Sequence, residues 1–271
     1  EMCIRDSASV ADFTRYAETV ADHLGDLVTH YATFNEPNIA KLLIATEVLP
    51  VEAVGTGVRR GSVMGAVDDT LTHLIEAHRR AGAALRSRGK QVGWTLAIQS
   101  FQAVEGGDEL TAARRGDAID QFLEVSREDD WIGVQTYSRE RFGPDGLVGP
   151  PDGAATTEMG WEVYPEALGE TVRLAREIAG VPVWVTENGM ATLDDEARIA
   201  YTAVALTALH EAIADGADVR GYLHWSLLDN YEWGSFSKHF GLIAVDRATF
   251  ERTPKPSLAW LGAVARANTL D

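Results

Sequence analysis

Two glutamates sit where a buried strand should end. In VPVWVTENGM, residues 181–190, Val181, Val183 and Val185 make the β-branched run of a buried strand, which finishes on Thr186, Glu187, Asn188 and Gly189. HYATFNEPN, residues 30–38, places Glu36 in the same way after Asn35. Burying an unpaired charge costs several kcal/mol, so each carboxylate must be solvated, paired or working. Singly, either reads as a salt-bridged residue on the rim of the fold. Both at equivalent strand ends, each beside an asparagine, point to a working pair. Such a pair can split a glycosidic bond. One carboxyl stays protonated near neutral pH and protonates the leaving oxygen; the other is ionised and attacks or stabilises an oxocarbenium-like centre.

The elements that would position these residues alternate in period. Val10, Phe13, Tyr16, Val20 and Leu24 share one helical face, with Gly25 as the stop. Strand LVTHYATF (27–34) follows. A long helix carries Leu71, Leu74, Ile75, His78 and Leu85 and ends near Gly89; His78 is expected to face the core. Strand QVGWTLAI (91–98), a helix through Ile119, Phe122 and Leu123, and strand WIGVQTY (131–137) come next. Pro165 opens a helix stopped by Gly180, and the strand bearing Glu187 spans 182–187. Asp194 caps a helix stopped by Gly216; strand VRGYLHWS (219–226) and helix KPSLAWLGAVARA close the chain. Strand and helix alternate five times, the pattern of parallel βαβ units. Polar and aromatic residues collect at the carboxyl ends of the strands, where (β/α)8 barrels and open doubly wound sheets alike place their sites. No glycine-rich phosphate loop follows a strand; GTGVRRG (55–61) reads as a loop, as does the whole segment between Ala40 and Val67.

Composition narrows the partners. Of 271 residues, 45% are hydrophobic and 24% charged, ordinary for a globular chain. A net charge of −17 argues against nucleic acid or an anionic membrane as partner. No apolar run approaches the ~20 residues of a membrane span. One cysteine, Cys3, precludes an internal disulfide and a cysteine zinc cluster, which fits a reducing cytoplasm. His210–Glu211 lacks the second histidine of a zincin, and His73 and His78 lie five apart, so no metal pair is expected. SREDD (126–130) reads as a solvated turn. EMCIRDS (1–7) fits no following pattern and reads as a foreign junction or a disordered tail.

TFNEP with VTENG resembles the two signature motifs of glycoside hydrolase family 1, the β-glucosidase family. WIGVQTYSR, EMGWEVYPEAL, WSLLDNYEW, FGLIAVD and RTPKPS continue the likeness in order, over roughly residues 9–265. The resemblance implies a (β/α)8 barrel of which residues 8–271 hold strands four to eight, three earlier strands having no counterpart here. It implies a retaining mechanism with Glu36 as general acid/base and Glu187 as nucleophile. Asn35 would hold the sugar 2-hydroxyl, and Tyr137 would donate to Glu187 and help keep it ionised. Trp225, Glu232 and Trp233 would bind the nonreducing sugar, and Trp161 would border the leaving group. Any of these tryptophans could instead be core, though Trp225 and Trp233 flank the polar SLLDNYE. Glu232 would repel a phosphorylated sugar and Phe240 offers no hydroxyl, so the substrate implied is an unphosphorylated β-glycoside or oligosaccharide, with no cofactor and no metal.

Gln135 and Thr136 depart from the family's commoner Asn-Tyr pair beside the nucleophile. With three strands and their sugar-binding residues lacking, the expectation is impaired activity. A noncatalytic sugar-binding fragment is the competing class, though it predicts loss of one glutamate and both are present. An inverting enzyme or transferase on the same fold is a third. A carboxyl separation of about 5–5.5 Å would mark retention and about 6.5–9.5 Å inversion.

Overall fold

The computed structural model describes residues 7–39 and 63–270. The described residues form two compact units. One comprises the chain up to Ala97 with Gly116–Gly133 and Ile178–Pro182; the other comprises Ile98–Arg115, Val134–Glu177 and the chain from Val183 onward.

In the first unit, helices α1 (Ser7–Leu24) and α2 (Val63–Arg86) precede strands β1 (His30–Asn35) and β2 (Gln91–Ala97) respectively. The strands pair in parallel, His30 opposite Gln91. Val10, Phe13, Ala17 and Ala21 from α1 meet Leu74, Ala77, Ala81 and Leu85 from α2, with Val92 beneath. These are the i, i+3 and i+7 positions of two amphipathic helices, and the alanines let the backbones approach closely. Phe13 stacks on Phe34 of β1 at 4.5 Å. β1 starts three residues later than expected, because Gly25–Leu27 forms a 3-10 turn.

The turn at 126–130 is only partly solvated: Arg127 and Glu128 are exposed, as the charge pattern suggests, but the rest is drawn into the fold. Ser126 and Asp129 are buried. Asp129 accepts from His78 Nε2 at 3.0 Å and Arg86 at 3.0 Å, and Asp130 accepts from Arg86 Nε and the Val92 amide, both at 2.8 Å. His78 also meets Thr33 Oγ1 at 2.7 Å and stacks on Trp94 at 4.2 Å, while Trp94 donates to Ser126 at 2.7 Å. Partners on α2, 43 to 51 residues away in the chain, make burial of the acids tolerable. His78 does face the core.

The second unit contains β3 (Ser100–Ala103), α3 (Asp108–Arg115), β5 (Arg139–Gly143), β6 (Gly146–Val148), α5 (Ala167–Ile178), β7 (Val183–Glu187), α6 (Asp195–Ala214) and β8 (Val219–Tyr222). β9 (Ile243–Val245), β10 (Arg252–Pro254) and α7 (Pro256–Ala267) complete it. Between α3 and α5 the chain forms a short helix, α4 (Gln121–Val125), and strand β4 (Ile132–Gln135). β7 and β8 pair in parallel. All five expected strands are present, as β1, β2, β4, β7 and β8. Asp194 caps α6, its Oδ1 accepting from the amides of Glu196 and Ala197 at 3.0 and 3.1 Å. Gly180 ends α5 at φ +69°, a conformation open to glycine at no steric cost.

Two small sheets were not anticipated. β3 pairs in parallel with β5, which pairs antiparallel with β6 through the turn Gly143-Pro144-Asp145-Gly146. β9 and β10 form an antiparallel pair. The junction expected over residues 1–7 and the loop expected between Ala40 and Val67, with GTGVRRG inside it, lie almost wholly outside the described residues; where they overlap, Ser7 and 63–67 are helical. No helix among the described residues is long and apolar enough to cross a membrane.

Candidate active site

Glu36 lies one residue beyond β1. Its backbone adopts φ +49°, rare for a residue with a Cβ and costing on the order of 1–3 kcal/mol. The neighbouring groups impose it. The Glu36 amide donates to the Thr95 carbonyl at 2.8 Å, and the Ile39 amide donates back to the Glu36 carbonyl at 3.0 Å. Asn38, buried, donates from Nδ2 to the Ala97 carbonyl at 2.6 Å and accepts from the Ala97 amide at 3.3 Å. The chain after β1 is thereby tied to the end of β2. Asn35 is exposed, and its Oδ1 accepts from Thr95 Oγ1 at 2.8 Å. Strain at a residue whose surroundings over-determine it collects at functional sites.

Glu187 is the last residue of β7 and is partly buried. Each carboxylate oxygen has its own donor. Gln135 Nε2 gives a hydrogen bond to Oε1 at 2.7 Å, and the Tyr137 hydroxyl gives one to Oε2 at 2.5 Å. Burial raises the pKa of Glu187; the Tyr137 hydrogen bond opposes the rise and the charge of Glu232 adds to it. Tyr137 therefore does donate to Glu187, but the donation does not outweigh desolvation. Gln135, which the sequence showed only as a departure from the family's pattern, is a direct partner of the carboxylate. Its fellow departure Thr136 serves the fold instead, donating to the Ile98 carbonyl at 2.8 Å and meeting Thr171 Oγ1 at 2.7 Å.

The following residues are held tightly. Asn188 is fully buried, and its carbonyl accepts from the Trp225 amide at 2.9 Å. A Cβ on Gly189 would fall 1.9 Å from the Trp225 carbonyl oxygen, so only glycine allows this approach. Trp225, which precedes a cis peptide to Ser226, donates from Nε1 to Glu232 Oε1 at 2.9 Å. Burial raises the pKa of Glu232, while the bonds from Trp225 and Asn230 oppose the rise. Trp161 lies 5.5 Å from Tyr137 and 6.4 Å from Phe240, ring centre to ring centre, and Trp225 packs on the same aromatic cluster. Trp233 stands apart, 62% exposed at φ +46°. The structure thus brings Gln135, Tyr137, Trp161, Glu187, Trp225 and Glu232 into one polar and aromatic cluster. Among the described residues, no group of three His, Cys, Asp or Glu side chains could hold a metal ion.

The raised pKa of Glu187 sets a sign for stability. The folded state binds this proton more tightly than the unfolded chain does. The favourable contribution is complete below the unfolded pKa and is lost as pH rises through the folded one. Glu187→Gln, which cannot ionise, is expected to unfold a few degrees above the wild type at pH 7, the gap closing toward pH 4. Calorimetry across that range checks this; a gap that widens toward acid would contradict the burial argument.

Helices alternating with parallel strands, with polar side chains past the strands' carboxyl ends, make this a partial (β/α)8 barrel. The chain matches the crystal structure of β-glycosidase BGL167 with a TM-score of 0.86 and 40% identity, covering 98% of this chain and 69% of that one. The β-glycosidase from Pyrococcus horikoshii matches at 0.88 and 29% identity, with 99% and 68% covered. The glycosyl hydrolase family 1 pattern matches residues 125–270, and the chain belongs to that family. The β-galactosidase of Sulfolobus acidocaldarius is 33% identical over 97% of this chain and 60% of its own length. The β-glucosidase of an Agrobacterium species is 30% identical, over 93% and 65%. The chain spans about 60% of the length of the curated relatives it matches.

Proposed function

We propose that this chain carries the machinery of a retaining β-glycosidase acting on unphosphorylated β-glycosides. Glu187 attacks the anomeric carbon as Glu36 gives its proton to the departing oxygen. A covalent glycosyl-enzyme forms and the aglycone leaves. Glu36, now ionised, takes a proton from water, which attacks the same carbon and releases Glu187. The observation that carries this reading is the two-donor clamp of Gln135 and Tyr137, which leaves the Glu187 carboxylate fixed in orientation with one hydrogen bond on each oxygen. Glu187 must be ionised to attack, so activity falls as pH drops through its raised pKa.

Asn35 serves the sugar 2-hydroxyl; Trp225, Glu232 and Trp233 serve the nonreducing sugar; Trp161 borders the aglycone. The buried Glu232 disfavours a phosphate dianion by like-charge repulsion. No cofactor enters the reaction. The single cysteine and the acidic surface suit a cytoplasmic enzyme without nucleic-acid or membrane partners. The test is proton NMR of an aryl β-glucoside during hydrolysis. The β-anomer of the free sugar appearing first supports retention. The α-anomer first means inversion, and binding without turnover means a noncatalytic sugar-binding chain.

A further inference from the structure

Behind the Glu187 clamp lies a second polar layer that makes no contact with the carboxylate. Tyr201, in the second turn of α6, is 3% exposed. Its hydroxyl donates to the backbone carbonyl of Tyr137 at 2.7 Å and accepts from Asn188 Nδ2 at 3.2 Å. Asn188 Nδ2 also donates to the Thr136 carbonyl at 2.8 Å, and its Oδ1 accepts from the Tyr222 hydroxyl on β8 at 3.0 Å. One phenol on a helix thus joins the residue that donates to Oε2 of Glu187 and the residue that follows Glu187 in the chain.

We propose that Tyr201 is a positioning residue: it holds the Tyr137 backbone and the Asn188 amide in a fixed relation, and so fixes the hydrogen bond from Tyr137 to Glu187. The proposal rests on the reading of Glu187 as nucleophile only for its catalytic consequence. Two observations favour positioning over ordinary core packing. A buried hydroxyl and a buried amide cost free energy unless satisfied, and apolar residues of similar volume could fill the same space, whereas a satisfied network holds its members to one register. The anchor is itself rigid: Arg198, one turn earlier on α6 and fully buried, pairs with Asp195 and donates to the carbonyls of Thr192 and His239. Burial keeps the Tyr201 phenol protonated, so its single hydrogen is available to the Tyr137 carbonyl throughout the working range.

Tyr201→Phe removes this one hydroxyl at almost constant volume. The readout is the carboxyl titration of Glu187, followed through its 13Cδ NMR signal and assigned by its loss in Glu187→Gln. The titratable groups acting on Glu187 are Tyr137, whose hydrogen bond lowers its pKa, and Glu232, whose charge raises it. A loosened Tyr137 bond therefore moves the titration upward, by about 0.5 unit or more. Tyr137→Phe moves it upward too, and adding Tyr201→Phe to that background moves it no further. An unmoved titration in Tyr201→Phe, with only a lower Tm, reduces Tyr201 to core packing and overturns the proposal. An equal movement in both backgrounds overturns the route through Tyr137. Should Tyr201→Phe not fold, Asn188→Ala removes the other side of the same junction and is read in the same way. The titration needs no turnover. If Glu187→Ala still hydrolyses glycosides, the nucleophile reading fails while the coupling between Tyr201 and Glu187 stands or falls separately.

Discussion

Glu187→Ala is expected to lower hydrolysis of aryl β-glucosides by roughly 10⁴-fold or more, because the covalent intermediate has no other residue to form on. Neither Gln135 nor Tyr137, the two side chains that hold the carboxylate, is a nucleophile at neutral pH: an amide has no ionised form there, and a phenol ordinarily ionises near 10. Truncation leaves a space of carboxylate size, flanked by the two donors that previously bound it. Azide fits that space. It attacks from the face opposite the leaving group and should restore part of the rate, yielding the inverted α-glycosyl azide. Steady-state kinetics with and without azide check this. Near-wild-type turnover in the alanine variant would remove Glu187 from the mechanism.

Glu36→Gln separates substrates by leaving group. General acid catalysis contributes roughly 10²–10⁴-fold, and only where the departing oxygen needs a proton. Alkyl glycosides and oligosaccharides should lose that full range. Activated aryl glycosides, whose phenolate leaves unaided, should keep most of their glycosylation rate. Equal losses for both would mean that Glu36 is not the acid. The strained backbone at Glu36 gives a second expectation: glycine at this position relieves φ +49° while deleting the carboxyl, so stability need not fall with activity.

Much of this was legible because local chemistry agreed with global structure. Asp194 has the residue type and position of a helix cap, and it caps. Valines alternate through β7 and are buried there. Glycines follow the helices they stop. The failures have physical causes. Gly143-Pro144-Asp145-Gly146 is a turn signal that would have located the β5–β6 hairpin, but its strands are three to five residues long and carry arginine and glutamate rather than alternating apolar residues. What holds this part is side-chain pairing: Arg139 binds Glu162 through two nitrogens and lies 4.1 Å over the ring of Tyr164. SREDD looked solvated because a run of charge says nothing of a histidine and an arginine arriving from α2. Gln135 looked like a mere departure because a longer amide in place of a shorter one reveals its partner only when the strands are side by side. Tyr201 and Tyr222 gave no signal at all, since a tyrosine on an apolar helix face or strand reads as core.

The most direct test of Glu187 as nucleophile is to capture the intermediate. A 2-deoxy-2-fluoro-β-glucoside with a dinitrophenolate leaving group suits this purpose. The fluorine slows both steps by destabilising positive charge at the anomeric carbon, and the good leaving group lets the first step proceed, so the glycosyl-enzyme accumulates. Mass spectrometry of the intact chain and of its proteolytic peptides then locates the sugar. The expected result is one fluoroglucosyl group per chain, attached to Glu187 in the peptide containing VTENG, and absent from Glu187→Ala. A label on any other residue, or complete turnover of ordinary glycosides with inversion and no label, would contradict the assignment.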